Sequence, residues 1–98
     1  MAKGYWIAHV DVQDAEQYKK YIEANAAPFK IFGAKFVVRS GKYQCREGAA
    51  RDRQVILEFP TYQAAIDCYD SPEYQKAKEL RTNAALADLL ILEGYDQT

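Results

Sequence analysis

The chain has 98 residues, which is the length of one domain with a thin core, because a domain of this size buries only about 60 to 70% of the surface its unfolded chain exposes. Hydrophobic residues make up 49% and charged residues 28%, a mixture that excludes a disordered tail or a membrane-spanning chain. The formal charge is -1 and the pI is near 5.8, without a block of like charges, so neither a nucleic acid nor a membrane is expected as a partner.

The first residues and the cysteines bear on compartment and cofactors. MAKGYWIAHVDV lacks the apolar stretch and small-residue cleavage site of a signal peptide, so we expect a cytoplasmic protein. Cys45 and Cys68 have no CxxC spacing, and the one histidine, His9, does not complete a zinc site with them. We therefore expect two reduced structural thiols, no metal site and no other cofactor.

The first half of the chain predicts a strand followed by a helix. Residues 4–12 alternate so that both faces of the strand are filled, one by Trp6, Ala8, Val10 and Val12, the other by Tyr5, Ile7, His9 and Asp11. Asp14 begins a helix, with Gln17 completing a capping box. Pro28 should break or kink this helix, and Gly33 is placed as its C-terminal cap.

The second half predicts three strands and a broken helical stretch. Residues 34–48 form a strand with a bulge at Ser40 and Gly41, and residues 53–59 form the next. Thr61 caps a helix through Tyr69, and Ser71 with Pro72 begins another that runs toward Ala85. Residues 87–95 form the last strand.

The order β-α-β-β-α-β predicts a ferredoxin-like α+β domain over residues 1–98, a four-stranded antiparallel sheet with helices on one face. The other sheet face would then expose a large apolar patch, the kind that marks an interaction surface. The patch is predicted to contain Tyr5, Ile7, Val37, Ile56, Leu89 and Ile91. A second copy of the same sheet is the economical cover, so we expect a homodimer.

Four stretches resemble the bacterial family called domain of unknown function 1330 (DUF1330), in the dimeric α/β-barrel superfamily. They are GYWIAHVDVQDAEQYKKY at 4–21, FVVRSG at 36–41, ILEFPTYQAAIDCYDSPEYQKAKELR at 56–81 and EGY at 93–95. The segment YDSPEYQ is the most specific. The resemblance implies a dimer with a two-sheet barrel and no settled activity. Cofactor-independent monooxygenases and small isomerases are similar at a greater distance, but a shared fold does not transfer chemistry.

Polar residues on the strands supply candidate catalytic residues. If the helices cover Trp6, Ala8, Val10, Phe36, Val38, Val55, Leu57 and Phe59, parity places His9, Arg39 and Glu58 together on the opposite face. His9 is then a candidate general base and Arg39 a candidate anchor for an anionic substrate oxygen. The alternative is an ion pair between Arg39 and Glu58, with His9 bonded to a carbonyl at the dimer interface. Asp11 is expected to be solvated or to cap the next turn.

Tyrosines and one further arginine supply candidate ligand contacts. Tyr18, Tyr69 and Tyr74 lie on predicted helices near the sheet and could present hydroxyl groups to a small aromatic or keto compound, together with Glu58. The alternative is that they are amphipathic packing residues. Arg81 either binds an anion or forms a surface ion pair with the acidic segment 67–73.

Two functions remain open at this stage. One is a cofactor-independent enzyme with a small-molecule pocket between sheet and helices or in the dimer barrel. The other is a non-catalytic ligand-binding or structural dimer. RNA binding is disfavoured, because the strand RQVILEF lacks the basic and aromatic pattern of RNA-recognition domains that share this element order.

Overall fold

The computed structural model describes residues 2–96, in which three helices cover one face of a four-stranded antiparallel sheet. The strands are β1 (Gly4–Val12), β2 (Lys35–Arg39), β3 (Arg53–Phe59) and β4 (Ala85–Glu93). The helices are α1 (Ala15–Ile31), α2 (Tyr62–Asp70) and α3 (Pro72–Arg81). The strand order is β2-β3-β1-β4, so the predicted ferredoxin-like fold is confirmed.

Local signals begin each helix as the sequence predicted. The Asp14 carboxylate accepts a hydrogen bond from the Gln17 backbone N–H at 3.1 Å, and the Thr61 hydroxyl accepts one from Ala64 at 3.0 Å. The Ser71 hydroxyl accepts from the Tyr74 backbone N–H at 3.1 Å, with Pro72 in the first turn. These caps satisfy N–H groups that have no partner within the helix. Among the described residues, no helix is both long and apolar enough to cross a membrane.

Several predicted boundaries are wrong. Pro28 does not break helix α1, which continues to Ile31, and Gly33 follows the helix with a φ of 75°, as expected of a C-terminal glycine. Helix α3 ends at Arg81, and Ala85, where the helix was expected to end, already begins β4. Strand β2 is shorter than predicted, since residues 40–52 contain neither helix nor strand.

A β-bulge interrupts the pairing of β2 with β3, earlier in the strand than predicted. Phe36 pairs with Leu57 and Val38 with Ile56, so two residues of β2 advance against one residue of β3. Val37 is the extra residue. Residues after a bulge change faces relative to those before it, because side chains alternate along a strand.

The core under the helices is built around the Trp6 ring, which is 2% exposed. Four aromatic rings surround it with centroids 4.9 to 5.8 Å away, namely those of Phe29, Phe59, Tyr69 and Tyr74. The indole N–H donates to the Ala65 carbonyl at 2.9 Å, so the ring's polar group is satisfied within the core. Trp6 therefore links β1 to all three helical segments above it.

The sheet face away from the helices is open and largely apolar. Ile7 pairs with Leu90 and Tyr5 pairs with Leu92 across β1 and β4, and the Leu90 side chain is 61% exposed. The predicted patch is corrected in two strands. In β4, Leu89 and Ile91 pack under the helices instead, and in β2, Val38, which was expected under the helices, lies beside Ile56 in place of the bulged Val37. We call the residues on the uncovered side the open face; its apolar members are Tyr5, Ile7, Val38, Ile56, Leu86, Leu90 and Leu92.

A glycine at the start of β1 allows α2 to approach the sheet closely. A Cβ atom added to Gly4 would lie 2.5 Å from the Thr61 carbonyl oxygen and 2.7 Å from the Tyr62 Cα atom. We expect Gly4→Ala to lower the free energy of unfolding by about 3 kcal/mol, because backbone atoms must move to relieve this overlap. Urea unfolding followed by circular dichroism measures the change.

Gly41 supplies the matched control for this prediction. A Cβ atom at Gly41 meets nothing within 4 Å, so Gly41→Ala should change stability by less than about 0.5 kcal/mol. Equal effects of the two substitutions would contradict the close approach of α2 to Gly4.

Candidate small-molecule site

A cavity lies between α1 and the sheet. Helix α1 packs mainly along α3, and α2 is the helix that packs closely over the strands, so a space remains between α1 and the sheet surface. Aliphatic and aromatic side chains form most of its wall, and three arginines, Arg39, Arg53 and Arg81, complete it. The apolar lining residues include Trp6, Ala8, Val10, Ile22, Phe29, Phe36, Val55, Leu57, Ala87 and Leu89.

The cavity is a narrow chamber that is partly open to solvent. It contains about 560 Å³ of space free of protein atoms, a figure that includes open solvent at its mouth.

Each arginine of the cavity lies against an aromatic ring. The guanidinium carbon of Arg39 is 4.1 Å from the centroid of the Phe36 ring. The corresponding distances are 5.7 Å from Arg53 to Tyr18 and 5.3 Å from Arg81 to Tyr21. The face of an aromatic ring attracts a cation, so each ring supports one positive group at the cavity wall.

Hydroxyl groups beside Arg81 form a buried chain of hydrogen bonds. The Tyr21 and Tyr74 hydroxyls are 2.8 Å apart, and Arg81 Nη2 donates to the Tyr74 hydroxyl at 3.4 Å. Burial raises the pKa of Tyr74 far above its ordinary value, and burial also raises the pKa of Tyr18. These phenols therefore stay neutral and act as hydrogen-bonding groups.

The residues that line this cavity include three positively charged side chains and no negatively charged one. None of them is Asp, Glu or His. The ion pairs of Lys3, His9 and Arg51 with carboxylates involve none of the three arginines of the cavity, and among residues 2–96 Arg53 Nε is buried without a hydrogen-bond partner. An unpaired polar group in such surroundings costs free energy, so its presence needs a physical reason.

The predicted ligand residues divide between this cavity and other places. Tyr18 and Arg81 line the cavity, and Tyr74 is connected to it by the hydrogen bond that its hydroxyl accepts from Arg81. Tyr69 packs on Trp6 in the core, as the packing alternative held. Glu58 lies on the open face, where it accepts a hydrogen bond from Lys3 at 2.9 Å. The surface ion pair predicted for Arg81 is wrong, since the guanidinium contacts tyrosines.

The expectation that Arg39 shares a sheet face with His9 and Glu58 is wrong. The bulge at Val37 pairs Arg39 with Val55, whose side chain faces the helices, and so directs the guanidinium into the cavity. The alternative ion pair between Arg39 and Glu58 is wrong for the same reason. His9 and Arg39 therefore do not meet within one subunit, and their proposed joint action on a substrate has no shared site there.

His9 belongs to a polar cluster at one end of the open face. Its Nε2 atom lies 3.1 Å from Asp88 Oδ2, and its Nδ1 atom accepts the Arg51 backbone N–H at 3.0 Å. The Arg51 side chain donates to Asp88 at 3.0 Å and to Asp11 at 2.9 Å. Because Nδ1 accepts a hydrogen bond, the neutral ring has its proton on Nε2, directed at Asp88. The role of His9 as a general base stays a prediction, and in this structure both ring nitrogens are occupied.

Asp11 holds the turn before β3 in place. One carboxylate oxygen accepts the Asp52 backbone N–H at 2.9 Å and the other accepts from Arg51. The hydrogen bond from Asp52, with the Arg51 guanidinium beside it, lowers the pKa of Asp11 below its ordinary value of 3.8. Of the two expectations for Asp11, the cap of the next turn is wrong, since the turn it caps is distant in sequence, and the side chain is 37% exposed to solvent.

The lowered pKa of Asp11 has a pH dependence with a definite sign. A carboxyl group with a lower pKa in the folded state stabilises the fold above its unfolded pKa, and this contribution disappears as the pH falls through the folded pKa. We expect hydrogen exchange of the Asp52 amide to become faster, relative to other amides, as the pH falls below about 4. Native-state exchange followed by NMR measures this.

Two substitutions separate this effect from general acid destabilisation. In Asp11→Asn the Asp52 amide should exchange faster already at neutral pH, and its relative rate should lose the pH dependence. Glu23→Gln, at an exposed position of α1, should behave as the wild type. An unchanged pH dependence in Asp11→Asn would contradict the assignment.

The two thiols lie apart from the cavity. Both cysteines are free; Cys68 is buried and Cys45 is exposed in the segment without regular structure. Burial raises the pKa of the Cys68 thiol to about 12, so this group is an inert part of the core. Across residues 2–96, no group of three His, Cys, Asp or Glu side chains is placed to hold a metal ion.

Sequence reasoning missed Arg53 and Arg51. Arg53 has the same parity as Val55 and Leu57 in β3, which is a signal that its side chain faces the helices. Asn25, also missed, is buried at the cavity wall and lies one helical turn from Tyr21 and from Phe29 in α1. Arg51 precedes β3 in a segment without regular structure, and no local pattern predicts its contacts with Asp11 and Asp88.

Fold and cavity together define the chain as a ferredoxin-like α+β domain with an arginine-lined chamber between its helices and its sheet. Residues 3–95 match the model of the family described as domain of unknown function (DUF1330), and the chain belongs to this family. The resemblance in the sequence is thereby confirmed. Comparison with curated proteins gave no match.

Solved structures similar to this chain share its fold. A protein of unknown function from Rhodopseudomonas palustris has a TM-score of 0.75 at 21% identity, over 97% of this chain and 84% of that chain. SnoaB, a cofactor-independent oxygenase from Streptomyces nogalater, has a TM-score of 0.64 at 12% identity, over 100% of this chain and 97% of that chain. A dimeric protein of unknown function with a ferredoxin-like fold from Bacteroides fragilis has a TM-score of 0.61 at 12% identity, over 93% and 95% of the two chains.

Proposed function

We propose that this protein is a homodimer that binds a small, partly apolar molecule in the cavity between α1 and the sheet. The observation on which the binding function depends is the cavity itself, where apolar walls meet a few convergent polar groups. This combination is typical of small-molecule sites in proteins.

The open face supports the dimer. It presents a row of apolar side chains across β1, β3 and β4, with Leu90, Leu92 and Ile7 each more than a third exposed in one subunit. A contiguous apolar surface of this kind favours association, and a two-fold axis lets the same face meet itself. The similar protein from Bacteroides fragilis is described as dimeric, which agrees with this arrangement.

The chemistry of the cavity favours binding over catalysis. Its lining contains neither a carboxylate nor an imidazole, and the raised pKa of Tyr18 makes this phenol a poor base. His9 lies on the other side of the sheet. The non-catalytic ligand-binding alternative therefore has more support than acid/base catalysis, although SnoaB shows that a cofactor-independent oxygenase uses a similar fold.

Titration with two small aromatic probes tests the binding function. Benzoate and benzamide have nearly the same shape and differ in charge. We expect at least one of them to shift the backbone NMR signals of Ala8, Val55 and Leu89 in a saturable way, with a dissociation constant of about 1 mM or below.

A cavity-filling variant supplies the control for this titration. Ala8→Phe places a ring in the cavity and should abolish the shifts, whereas Ala26→Phe, at an exposed position of α1, should leave them unchanged. If neither probe gives saturable shifts, or if Ala8→Phe binds as well as the wild type, the proposed site is wrong.

A further inference from the structure

We infer that the ligand is a small carboxylate with a flat apolar body, whose carboxylate is bound by Arg53 and Arg81, with Arg39 at the entrance. This inference rests on the proposed binding function and specifies the chemical class of the ligand. It starts from the charge of the cavity and not from its size.

The three guanidinium groups have no counter-charge at hand. Of the carboxylates on the neighbouring strands, Glu58 bonds to Lys3, and both Asp11 and Asp88 bond to Arg51. These three acids lie on the open face, on the far side of the sheet, and Glu93 pairs with Gly4 at the end of β1 opposite to the pairing of Val10 with Arg53. Collecting positive charge at a partly apolar cavity costs free energy, and a bound anion offsets that cost.

The hydrogen-bonding geometry fits a planar anion. A cation–π contact involves the charge of a guanidinium group and takes up none of its N–H donors, so the rings beside Arg39, Arg53 and Arg81 leave these donors for other partners; Arg81 Nη2 already donates to the Tyr74 hydroxyl. A carboxylate accepts two such parallel hydrogen bonds from one arginine. Arg53 Nε is a buried donor without a partner among the described residues, so it is the group that a ligand oxygen would satisfy.

The three arginines differ in solvent exposure, which indicates how deep in the cavity each one lies. Arg53 and Arg81 are half-buried, while Arg39 and the Phe36 ring beside it are exposed on β2, which is an edge strand. An anion entering beside Arg39 would thus reach Arg53 and Arg81 further in. Arg81 is additionally held by the hydroxyl of Tyr74, so its direction is set before a ligand arrives.

The uncharged lining residues of the cavity determine what kind of molecule can carry the carboxylate. Beyond the arginines the wall is mostly aliphatic and aromatic. Its other polar groups are the Asn25 amide and the Tyr18 and Tyr21 hydroxyls, so it offers few partners for hydroxyl-rich molecules such as sugars. The Trp6, Tyr18 and Phe29 rings in this wall offer aromatic surfaces against which a flat ring packs. A small aromatic carboxylate meets both conditions.

The experiment compares benzoate with benzamide by NMR titration on the dimeric full chain. We expect benzoate to bind at least about tenfold more tightly, since hydrogen bonds between charged groups exceed those of a neutral amide. Arg53→Met should weaken benzoate binding by about tenfold or more and leave benzamide binding within about twofold. Arg46→Met removes the same charge at an exposed position, where Arg46 bonds to Gln44, and should alter neither affinity.

The outcomes separate this inference from the proposed function. If neither probe binds, the binding function itself is wrong. If both bind equally, the cavity binds small molecules but the carboxylate assignment is wrong. Tighter binding of phenyl phosphate than of benzoate would also overturn the assignment. If Arg53→Met does not fold, Arg39→Gln at the exposed entrance replaces it, with an expected loss of about threefold for benzoate alone; no loss would contradict the inference.

Discussion

Replacing Trp6 by alanine is expected to lower the free energy of unfolding by about 3 to 5 kcal/mol, which is a large part of the roughly 5 to 15 kcal/mol that stabilises a domain of this size. The substitution removes four ring contacts and leaves the Ala65 carbonyl without its donor. Trp6 is the only tryptophan in the sequence, so unfolding of the variant is followed by circular dichroism in urea and not by fluorescence.

Trp6→Phe separates packing from hydrogen bonding at the same position. It keeps an aromatic ring in the core and loses the hydrogen bond to Ala65, so a smaller loss of about 1 to 2 kcal/mol is expected. If Trp6→Ala were as stable as Trp6→Phe, the ring cluster would not be the centre of the core.

Leu90→Asp is expected to convert the proposed homodimer into a monomer. Leu90 lies in the middle of the open face, opposite Ile7, so in a dimer each subunit would bury an unpaired carboxylate at a cost of about 3 kcal/mol or more. The dimer dissociation constant should rise by more than about a hundredfold. Sedimentation equilibrium at micromolar concentration distinguishes the 11.2 kDa subunit from a species of twice that mass.

An isoleucine outside the sheet supplies the control. Ile31 at the end of α1 is 62% exposed, compared with 61% for Leu90, so Ile31→Asp introduces the same charge at equal exposure. It should leave the mass of the assembly unchanged. A wild-type protein that sediments as a single 11.2 kDa species would contradict the dimer itself.

Local chemistry explains which parts of the fold were predictable. Asp14, Thr61 and Ser71 each accept the backbone hydrogen bond expected of a helix cap, because a cap depends only on residues three positions away. The four-stranded antiparallel sheet with helices on one face followed from the number and sequence of elements, since few topologies connect them with short right-handed crossovers.

The faces of β4 and β2 were less predictable for a physical reason. In β4, Leu89, Leu90, Ile91 and Leu92 are all apolar, so alternation supplies no phase, and the pairing of Leu90 with Ile7 decides which side is covered. For Arg39, parity counted from Phe36 fails because one extra residue intervenes. The cluster of Arg51 with Asp11 and Asp88 joins residues far apart in sequence, and no local pattern contains that information.

Because of the bulge at Val37, the number of residues in β2 determines on which side of the sheet the Arg39 side chain lies. Removing Val37 would restore regular pairing and turn the Arg39 guanidinium from the cavity to the open face. A charge there would oppose the proposed dimer, whereas in the cavity it favours the proposed binding of an anion. An insertion or deletion in this short edge strand is thus able to move a charge from one side of the sheet to the other without replacing the charged residue.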